Sequence, residues 1–423
     1  MYQYDVIVVG GGLTGVAAAV SAAREGMKTL LIEQSGFLGG ALGNCLVNPF
    51  MAYSTNLEVD GETKRVNLSA GIFSEIMERM NALGGLHPEN HRIFHEEYMK
   101  LVLDRMTAEA GVTVLLHATL CGAEKSGETL TGVTVIGKSG KMTFHAKRFI
   151  DCTGDADLAV MAGCPTRLGR ETDHLCQPMT LSFRIVNVDM ETYKANKPKI
   201  NRLYKQFKAE GKIKNPREDV LSVIHPVKNM LHFNATRIVK LNPTDPFHLT
   251  RAEMEAREQM FELFHFLKEN IEGFEQADLA FSAPQIGVRE SRMIDGLHLL
   301  TEEELKNCTR FDDSIAAGNY DIDIHNPEGS GTSHYFFKDG EYYTIPYRSL
   351  IPKRADNLLV AGRCISSTHE AQASYRVMTI VTTLGQAAGV AAAVSIRQHV
   401  SPKDADIKEI QRILKEGGAF LGI

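Results

Sequence analysis

The chain has 423 residues, of which 43% are hydrophobic and 23% charged, a globular composition that excludes a disordered or fibrous class. Its formal net charge of −6 gives no general reason to expect binding to nucleic acid or to an anionic membrane. A chain of this length has room for two or three domains with large cores.

The cysteines and the N-terminus predict a cytoplasmic location. The seven cysteines are scattered and form no C-x-x-C pair, which argues against a disulfide framework and against a local redox-active dithiol. The first residues lack the basic region of a signal peptide, and we find no run of about 18 apolar residues that predicts a membrane span. We therefore expect no membrane partner and no nucleic-acid partner. The sequence does not predict the oligomeric state.

The N-terminal segment has the pattern of a strand, a helix and a second strand. The apolar, β-branched run Asp5–Val9 predicts a buried parallel strand. The small residues of Val16–Glu25 predict a helix that ends at Gly26, and Met27–Ile32 predicts the second strand. This is the βαβ unit of dinucleotide-binding domains.

A G-x-G-x-x-G motif at Gly10, Gly12 and Gly15 joins the first strand to the helix. Such glycines allow a tight turn, a close approach of the backbone to a pyrophosphate, and close packing of helix on strand. The helix N-terminus also offers free N–H groups to phosphates. Glu33, at the end of the second strand, suits ribose hydroxyls and disfavours a 2′-phosphate.

A second glycine-rich segment favours FAD over NAD as the dinucleotide. The segment Gly36–Gly43 leads into a loop rich in Gly, Asn and Pro that runs to about Pro49, where an NAD domain would normally continue with a helix and a strand. An extended loop with exposed backbone suits the longer FAD molecule. The alternative is an ordinary surface loop.

The middle of the N-terminal region predicts a helix, several strands and a turn. His95–Ala110 has helical spacing of apolar residues, and Val112–His117 predicts a strand. Leu130–Gly137 and Lys141–Ala146 predict a β-hairpin. Arg148–Asp155 predicts a strand that runs into a Thr-Gly-Asp turn, whose backbone could approach a cofactor.

The C-terminal region predicts a further strand and a long buried helix. Asn357–Arg363 is an apolar strand that ends in Ala-Gly-Arg. After Tyr375–Met378, the small residues of Thr379–Ser395 predict a tightly packed helix. The start of this helix could direct N–H groups at an electron-rich flavin edge.

Together these motifs resemble FAD-dependent oxidoreductases of the glutathione-reductase-like fold and, more distantly, the fumarate reductase flavoproteins. The resemblance rests on these segments: Val9–Gly15, Glu33, Gly39–Gly40, Ile150–Asp157, Gln285–Arg292, Tyr343–Arg348, Asn357–Thr368 and Arg376–Gly389. It implies an α/β protein with a Rossmann-like FAD-binding domain, made of a parallel sheet plus a β-hairpin or meander, and an inserted α+β substrate or cap domain. We expect a discontinuous FAD-binding domain over 1–165 and 340–423, and an insert over 166–339.

The resemblance also implies which residues contact FAD. Those expected at the pyrophosphate are Gly10, Gly12, Thr14 and Gly15, with Leu13 beside them. Those expected on the adenosine side are Glu33, Gln34, Thr153, Gly154 and Asp155. Those expected along the ribityl chain, its phosphate and the flavin ring are Gly39, Gly40, Gly362, Arg363, Arg376, Val377 and Met378. Because the loop from Gly39 to Asn44 has no histidine to attach the flavin, we expect non-covalent FAD.

The insert has its own predicted elements. Met179–Val186, His225–Val239 and Phe281–Arg289 are strand-like, Thr250–Glu269 predicts a helix, and Asn319–Pro327 predicts a loop. No second G-x-G-x-x-G occurs in a βαβ context, so we expect no built-in NAD domain.

The candidate reacting residues are arginines, histidines and one tyrosine. Arginine binds a carboxylate through its planar fork, and histidine can move a proton while the flavin exchanges hydride. His369 is favoured among them because it lies between the Ala-Gly-Arg strand and the segment expected at the flavin. The alternative for each is a structural hydrogen bond or ion pair. The candidates are Arg289, Arg292, His325, Arg348, His369 and Tyr375.

Two other features predict no site. His87, His91 and His95 are four residues apart, but Pro88 and the lack of suitable carboxylates argue against a metal, so we expect none. Cys45 lies in the loop expected near the flavin, where an inert thiol is favoured over a reactive one.

The sequence thus predicts an FAD-dependent oxidoreductase that transfers hydride to or from an unidentified small molecule. The substrate itself or free NAD(P)H would supply the electrons. Two alternatives remain at this stage: an electron-transfer component that works with a partner protein, and a dinucleotide-binding protein without redox turnover.

Overall fold

The computed structural model describes residues 3–423. Its strands are β1 (Tyr4–Val9), β2 (Thr29–Ile32), β3 (Ser54–Val59), β4 (Glu62–Asn67), β5 (Leu86–His87), β6 (Asn90–Phe94), β7 (Thr113–Leu115), β8 (Thr119–Ser126), β9 (Thr129–Gly137), β10 (Gly140–Asp151), β11 (Thr166–Leu168), β12 (Phe183–Val186), β13 (Ser222–Ile224), β14 (Leu231–Phe233), β15 (Asp278–Ser282), β16 (Arg292–Ile294), β17 (Ser314–Gly318), β18 (Ile322–His325), β19 (Thr332–Tyr335), β20 (Tyr343–Pro346) and β21 (Leu358–Val360). Its α-helices are α1 (Leu13–Arg24), α2 (Ala41–Asn44), α3 (Ile72–Ala82), α4 (Glu96–Glu109), α5 (Asp157–Met161), α6 (Met190–Ala209), α7 (Pro246–Asn270), α8 (Glu302–Lys306), α9 (His369–Tyr375), α10 (Met378–Arg397) and α11 (Ile407–Glu416).

The main sheet combines a parallel part with an antiparallel meander. Its parallel strands pair in the order β7-β2-β1-β10-β21, and β8 and β9 continue from β10 in antiparallel fashion. This confirms the predicted α/β class with a parallel sheet and a meander. Since parallel strands end at one edge, the segments after Val9, Ile32, Asp151 and Val360 meet there; we call this edge the carboxyl edge.

The predicted hairpin needed one correction. The two strands expected at Lys141–Ala146 and from Arg148 onward are one continuous strand, β10. Its first half pairs with β9 in the meander, and its second half pairs with β1 and β21 in the parallel sheet. The strand therefore belongs to both the meander and the parallel part of the main sheet.

Helix α10 forms the centre of the core against α1. An added Cβ at Gly385 would lie 2.0 Å from the carbonyl oxygen of Thr14, and one at Gly389 would lie 2.2 Å from that of Ala18. From the first contact to the second, the residue number rises by four in both helices, so the helices run parallel and very close together. Within residues 3–423, α10 is the one helix long and apolar enough to cross a membrane, although the sequence had predicted no such run. In its most apolar 18-residue window 94% is buried, as expected of a core helix.

A second hydrophobic cluster lies under the sheet β13-β14-β12-β15, between helices α6 and α7. The predicted strands are shorter than expected: Met179–Val186 is a strand only from Phe183, His225–Val239 only at Leu231–Phe233, and Phe281–Arg289 only to Ser282. Isolated bridges hold the flanks, for example Thr180 with Gly287. The Asn319–Pro327 stretch expected as a loop contains β18, which pairs with β19. The domain boundaries stay a prediction.

Candidate active site

The glycines of the first turn have two different roles. A Cβ at Gly10 would lie 2.3 Å from the Cys152 carbonyl oxygen, and one at Gly15 would lie 1.8 Å from the Gly10 carbonyl oxygen, so both positions are fixed by packing. Within the described chain, a Cβ at Gly12 would meet nothing closer than the Gly40 Cα, at 3.9 Å. The space in front of Gly12 is therefore open, as a backbone that admits a pyrophosphate requires.

The second glycine segment lies against the first. Gly39 forms a bridge with Gly12, and its N–H donates to the Gly11 carbonyl oxygen at 2.8 Å. A Cβ at Gly40 would lie 2.9 Å from the Gly12 Cα. The two predicted FAD-contacting loops thus form one surface at the carboxyl edge, which we call the glycine cradle.

Glu33 lies beside the glycine cradle and is buried. Its carboxylate accepts the N–H of Gly11 at 2.6 Å and the N–H of Ser35 at 2.7 Å. Each oxygen keeps a lone pair for a further donor such as a ribose hydroxyl. Its neighbour Gln34 is exposed, while Leu13 is buried in the core. The ribose role of Glu33 stays a prediction.

The helices α1 and α10 begin at the same end of the molecule. In the described chain, neither helix has a side-chain cap or an acidic residue in its first turn. In the register set by Gly385 and Thr14, α10 starts six residues, about 9 Å, ahead of α1. Two uncapped N-termini, offset along one direction, suit a pyrophosphate at α1 and a more distant electron-rich group at α10.

The turn after β10 is held by its own carboxylates. Asp151 is buried and accepts hydrogen bonds from the backbone and hydroxyl of Thr153 and from the N–H of Ala159. Asp155 accepts from Arg363 at 2.7 Å and from the Ser291 hydroxyl. The side chains of Thr153 and Asp155 are thus used inside the protein, which leaves the backbone of the turn to face a cofactor.

Unpartnered polar atoms border this region. Among the described residues, the buried atoms without a hydrogen-bond partner include Arg363 Nε, Arg376 Nε and Thr379 Oγ1. Buried polar groups are almost always satisfied, so such atoms mark a place for a further hydrogen-bonding group. Together with the open face of Gly12 and the two uncapped helices, they fit a bound FAD.

His369 lies in a buried pair with Glu290. The Nδ1 of His369 is 2.7 Å from Glu290 Oε1, and both side chains are almost fully buried. Because an ionised carboxylate can only accept, Nδ1 carries the proton and Nε2 is the basic nitrogen. The other Glu290 oxygen accepts the backbone N–H of Gln177 at 2.8 Å, which fixes the orientation of the carboxylate.

Gln177 connects this pair to the other candidates. Its amide nitrogen donates to Gln372 Oε1 at 3.2 Å, and Gln372 donates to the Arg289 carbonyl oxygen at 2.9 Å. Its side-chain oxygen accepts from the backbone N–H of His325 at 3.4 Å and from Arg376 Nη2 at 3.5 Å. Hydrogen bonds through Gln177 and Gln372 therefore connect the Glu290–His369 pair to the side chain of Arg376 and to the backbone of His325 and Arg289.

His325 is neutral in this environment. Arg237 Nη2 donates to its Nδ1 at 3.0 Å, and its Nε2 faces Asp323 Oδ2 at 3.3 Å, so the proton lies on Nε2. Burial, aided by the charge of Arg289, lowers the pKa of His325 to about 3. His325 is thus a hydrogen-bonded structural link at neutral pH, which leaves His369 as the better candidate for proton transfer.

Three candidates lie elsewhere or serve the core. Arg348 forms a surface ion pair with Asp313 at 2.9 Å and has no hydrogen bond or ion pair to the cluster around Gln177 within residues 3–423. Arg292 pairs with Asp157. The Tyr375 hydroxyl is buried and lies 2.7 Å from the Ser367 hydroxyl.

The features expected to carry no site have ordinary roles. His95 caps α4 by accepting the Glu97 N–H, and no group of metal-ligating side chains is assembled in the part of the chain described. Burial raises the pKa of the Cys45 thiol to about 12, so the thiolate form is disfavoured.

Sequence reasoning missed Gln177, Glu290, Gln372 and Asp323. Gln177, Gln372 and Asp323 lie outside the segments that carry the family resemblance, and Gln177 is far from the others in the chain. Glu290 follows the candidate Arg289 directly, and an acid between two arginines was the one available signal.

Comparison with known proteins decides the family. The family described as FAD dependent oxidoreductase matches residues 5–414. The chain belongs to this family. It is therefore an FAD-dependent enzyme, in agreement with the geometry of the glycine cradle.

Curated relatives match only in part. The tRNA uridine 5-carboxymethylaminomethyl modification enzyme of Dichelobacter nodosus is 32% identical over 165 residues, 36% of this chain and 24% of that protein. The digeranylgeranylglycerophospholipid reductase of Thermoplasma volcanium is 26% identical over 205 residues, 45% of this chain and 49% of that protein. The matches thus span from a quarter to about half the length of these relatives.

Solved structures match over almost the whole chain. A geranylgeranyl bacteriochlorophyll reductase-like protein from Thermoplasma acidophilum has 13% sequence identity and a TM-score of 0.48, over 98% of this chain and 84% of that one. The flavin-dependent brominase Bmp2 triple mutant has 12% identity and a TM-score of 0.49, with the same coverage.

Proposed function

We propose that this enzyme transfers hydride between a small molecule and non-covalently bound FAD, with His369 moving the accompanying proton. The observation that carries the proposal is the buried Glu290–His369 pair, joined through Gln177 to Arg376. Arg376 lies two residues before α10 begins, so the pair is next to the helix start expected at the flavin.

The residues divide the work as follows. The glycine cradle and the N-terminus of α1 would hold the pyrophosphate, and the segment Arg376–Met378 would contact the flavin. FAD, when bound, supplies the two-electron exchange with the substrate. His369 Nε2 takes a proton from the substrate or returns one, while Glu290 holds the ring with its proton on Nδ1.

Two features bear on the electron source and on the alternative function. NAD(P)H remains a proposed electron donor. It would bind only transiently, because the chain has no second nucleotide-binding motif. The alternative, an electron-transfer component that serves a partner protein, needs only an exposed flavin edge. The buried His369 pair and the large insert over 166–339 favour a small-molecule substrate. The cytoplasmic location, and the expectation of neither a nucleic-acid nor a membrane partner, also stay proposals.

Anaerobic reduction of the purified holoenzyme tests this function. We would mix it with NADH, with NADPH and with a panel of small alcohols, amines and organic acids, and follow the flavin absorbance. We expect one small molecule to bleach the flavin, with a slower rate when the transferred hydrogen is deuterium. Reduction by dithionite but by no small molecule would support the electron-transfer alternative.

A further inference from the structure

Arg289 is one of four neighbouring arginines, and each of the other three forms an ion pair with an acidic side chain. Electrostatic repulsion from Arg376, Arg217 and Arg237 reaches Arg289. The pairs, with their shortest N–O distances, are Arg217 with Asp219 at 3.0 Å, Arg237 with Glu218 at 3.5 Å, and Arg376 with Asp323 at 3.7 Å. Among the described residues, Arg289 is therefore the arginine of this group that forms no ion pair.

The contacts of Arg289 are all with neutral acceptors. Its Nη1 donates to the Pro178 carbonyl oxygen at 2.7 Å and to Thr180 Oγ1 at 2.6 Å, and its Nη2 lies 3.4 Å from Asn234 Oδ1. No acid of the described residues lies within 4 Å of the guanidinium. These contacts fix the orientation of the planar group without neutralising it.

This arrangement is electrostatically incomplete. Burial, together with the positive charge of Arg376 and Arg217, lowers the pKa of Arg289. Asp323 is the acid whose charge acts on Arg289, but its carboxylate already faces Arg376 and His325. An uncompensated, partly buried cation is unfavourable, and a bound anion would relieve it.

The placement of Arg289 suits a substrate group. Glu290, the next residue, turns to His369, so the guanidinium and the proposed proton-transfer group are held by adjacent positions of one segment. A guanidinium fork is the preferred partner of a carboxylate. We propose that Arg289 binds the carboxylate of an anionic small-molecule substrate. This inference rests on the proposed function, because it names the class of substrate.

A phosphate of the cofactor would present similar negative charge to Arg289, so the experiment distinguishes a substrate carboxylate from a cofactor phosphate. Holoenzyme saturated with FAD is titrated calorimetrically, at constant ionic strength, with acetate, succinate and benzoate and with their neutral amides. We expect at least one carboxylate to bind saturably and at least about 10-fold more tightly than its amide. Arg289→Gln should remove this preference, and Arg289→Lys should keep part of it because the charge remains without the fork.

The matched control is Arg412→Gln, at an exposed position of helix α11, which should bind the same carboxylate as the parent enzyme does. If no carboxylate binds more tightly than its amide, or if Arg289→Gln keeps the preference, the inference is overturned. Loss of FAD affinity in Arg289→Gln without any carboxylate binding would assign the arginine to the cofactor and also overturn it. Flavin bleaching by a neutral molecule, with no competition from carboxylates, would overturn the substrate class and leave the hydride-transfer function standing.

Discussion

Glu290 and His369 are joined by a buried hydrogen bond of 2.7 Å between Oε1 and Nδ1. The bond links the segment before β16 to the first residue of α9, two elements 79 residues apart in sequence. It fixes which histidine nitrogen is basic, and so gives His369 a defined chemical role.

Replacing His369 with glutamine should lower the rate of flavin reduction by the substrate about 100-fold or more, the usual contribution of a general acid or base. Glu290→Gln should cause a smaller loss and change the pH profile of reduction, because an amide no longer favours one tautomer. Stopped-flow absorbance over a range of pH measures both. An unchanged pH profile in Glu290→Gln would assign the glutamate a purely structural role.

Gly12→Ala should fold normally yet bind FAD poorly, because its Cβ has room in the protein but occupies the open space in front of the cradle. Gly10→Ala should instead destabilise the fold, because its Cβ would collide with the Cys152 carbonyl and its φ is +101°. Urea denaturation and FAD titration of the cofactor-depleted proteins separate the two effects. Equal FAD affinity of Gly12→Ala and the parent protein would contradict the assigned position of the pyrophosphate.

Gly385→Ala should reduce the free energy of unfolding by roughly 1–3 kcal/mol or more, because the helices α1 and α10 would have to move apart. The shift should also displace the N-terminus of α1 and weaken FAD binding. Gly122→Ala is the control, since its Cβ would make an ordinary contact of 3.5 Å with Thr134 in the meander. Equal stability of the two variants in chemical denaturation would refute the close helix packing.

The neutral state of His325 predicts a loss of stability in acid. Its pKa falls from 6.5 to about 3 on folding, so the unfolded chain binds more protons between these values. The contribution of His325 to stability is complete above about pH 6.5 and is lost as the pH falls toward 3. Denaturation midpoints should fall less steeply with acid in His325→Gln than in the exposed control His265→Gln. The same slope in both variants would show that His325 is not buried as a neutral group.

The local motifs of the fold were predictable from sequence because each is specified by neighbouring residues. The strand before Gly10, the glycine turn, α1, Glu33 and the apolar α10 follow from composition and spacing alone. The continuity of β10 was not predictable, because its two halves pair with different parts of the main sheet.

The candidate site was predictable only in part. His369, His325 and Arg289 belong to one hydrogen-bonded network, but the residues that connect them, Gln177 and Gln372, carry no local signal. Arg348 is a candidate because arginine binds carboxylates, whereas in the structure Asp313 holds it in a surface ion pair. Such choices depend on tertiary partners that lie far away in the chain.

The measurement that tests the account most directly is the visible spectrum of the enzyme, purified without added cofactor, before and after acid precipitation. The account predicts flavin bands that move wholly into the supernatant, where chromatography identifies FAD and not FMN. Colour that stays with the precipitate would contradict non-covalent binding. A colourless protein that takes up no added FAD would contradict the assignment of the glycine cradle itself.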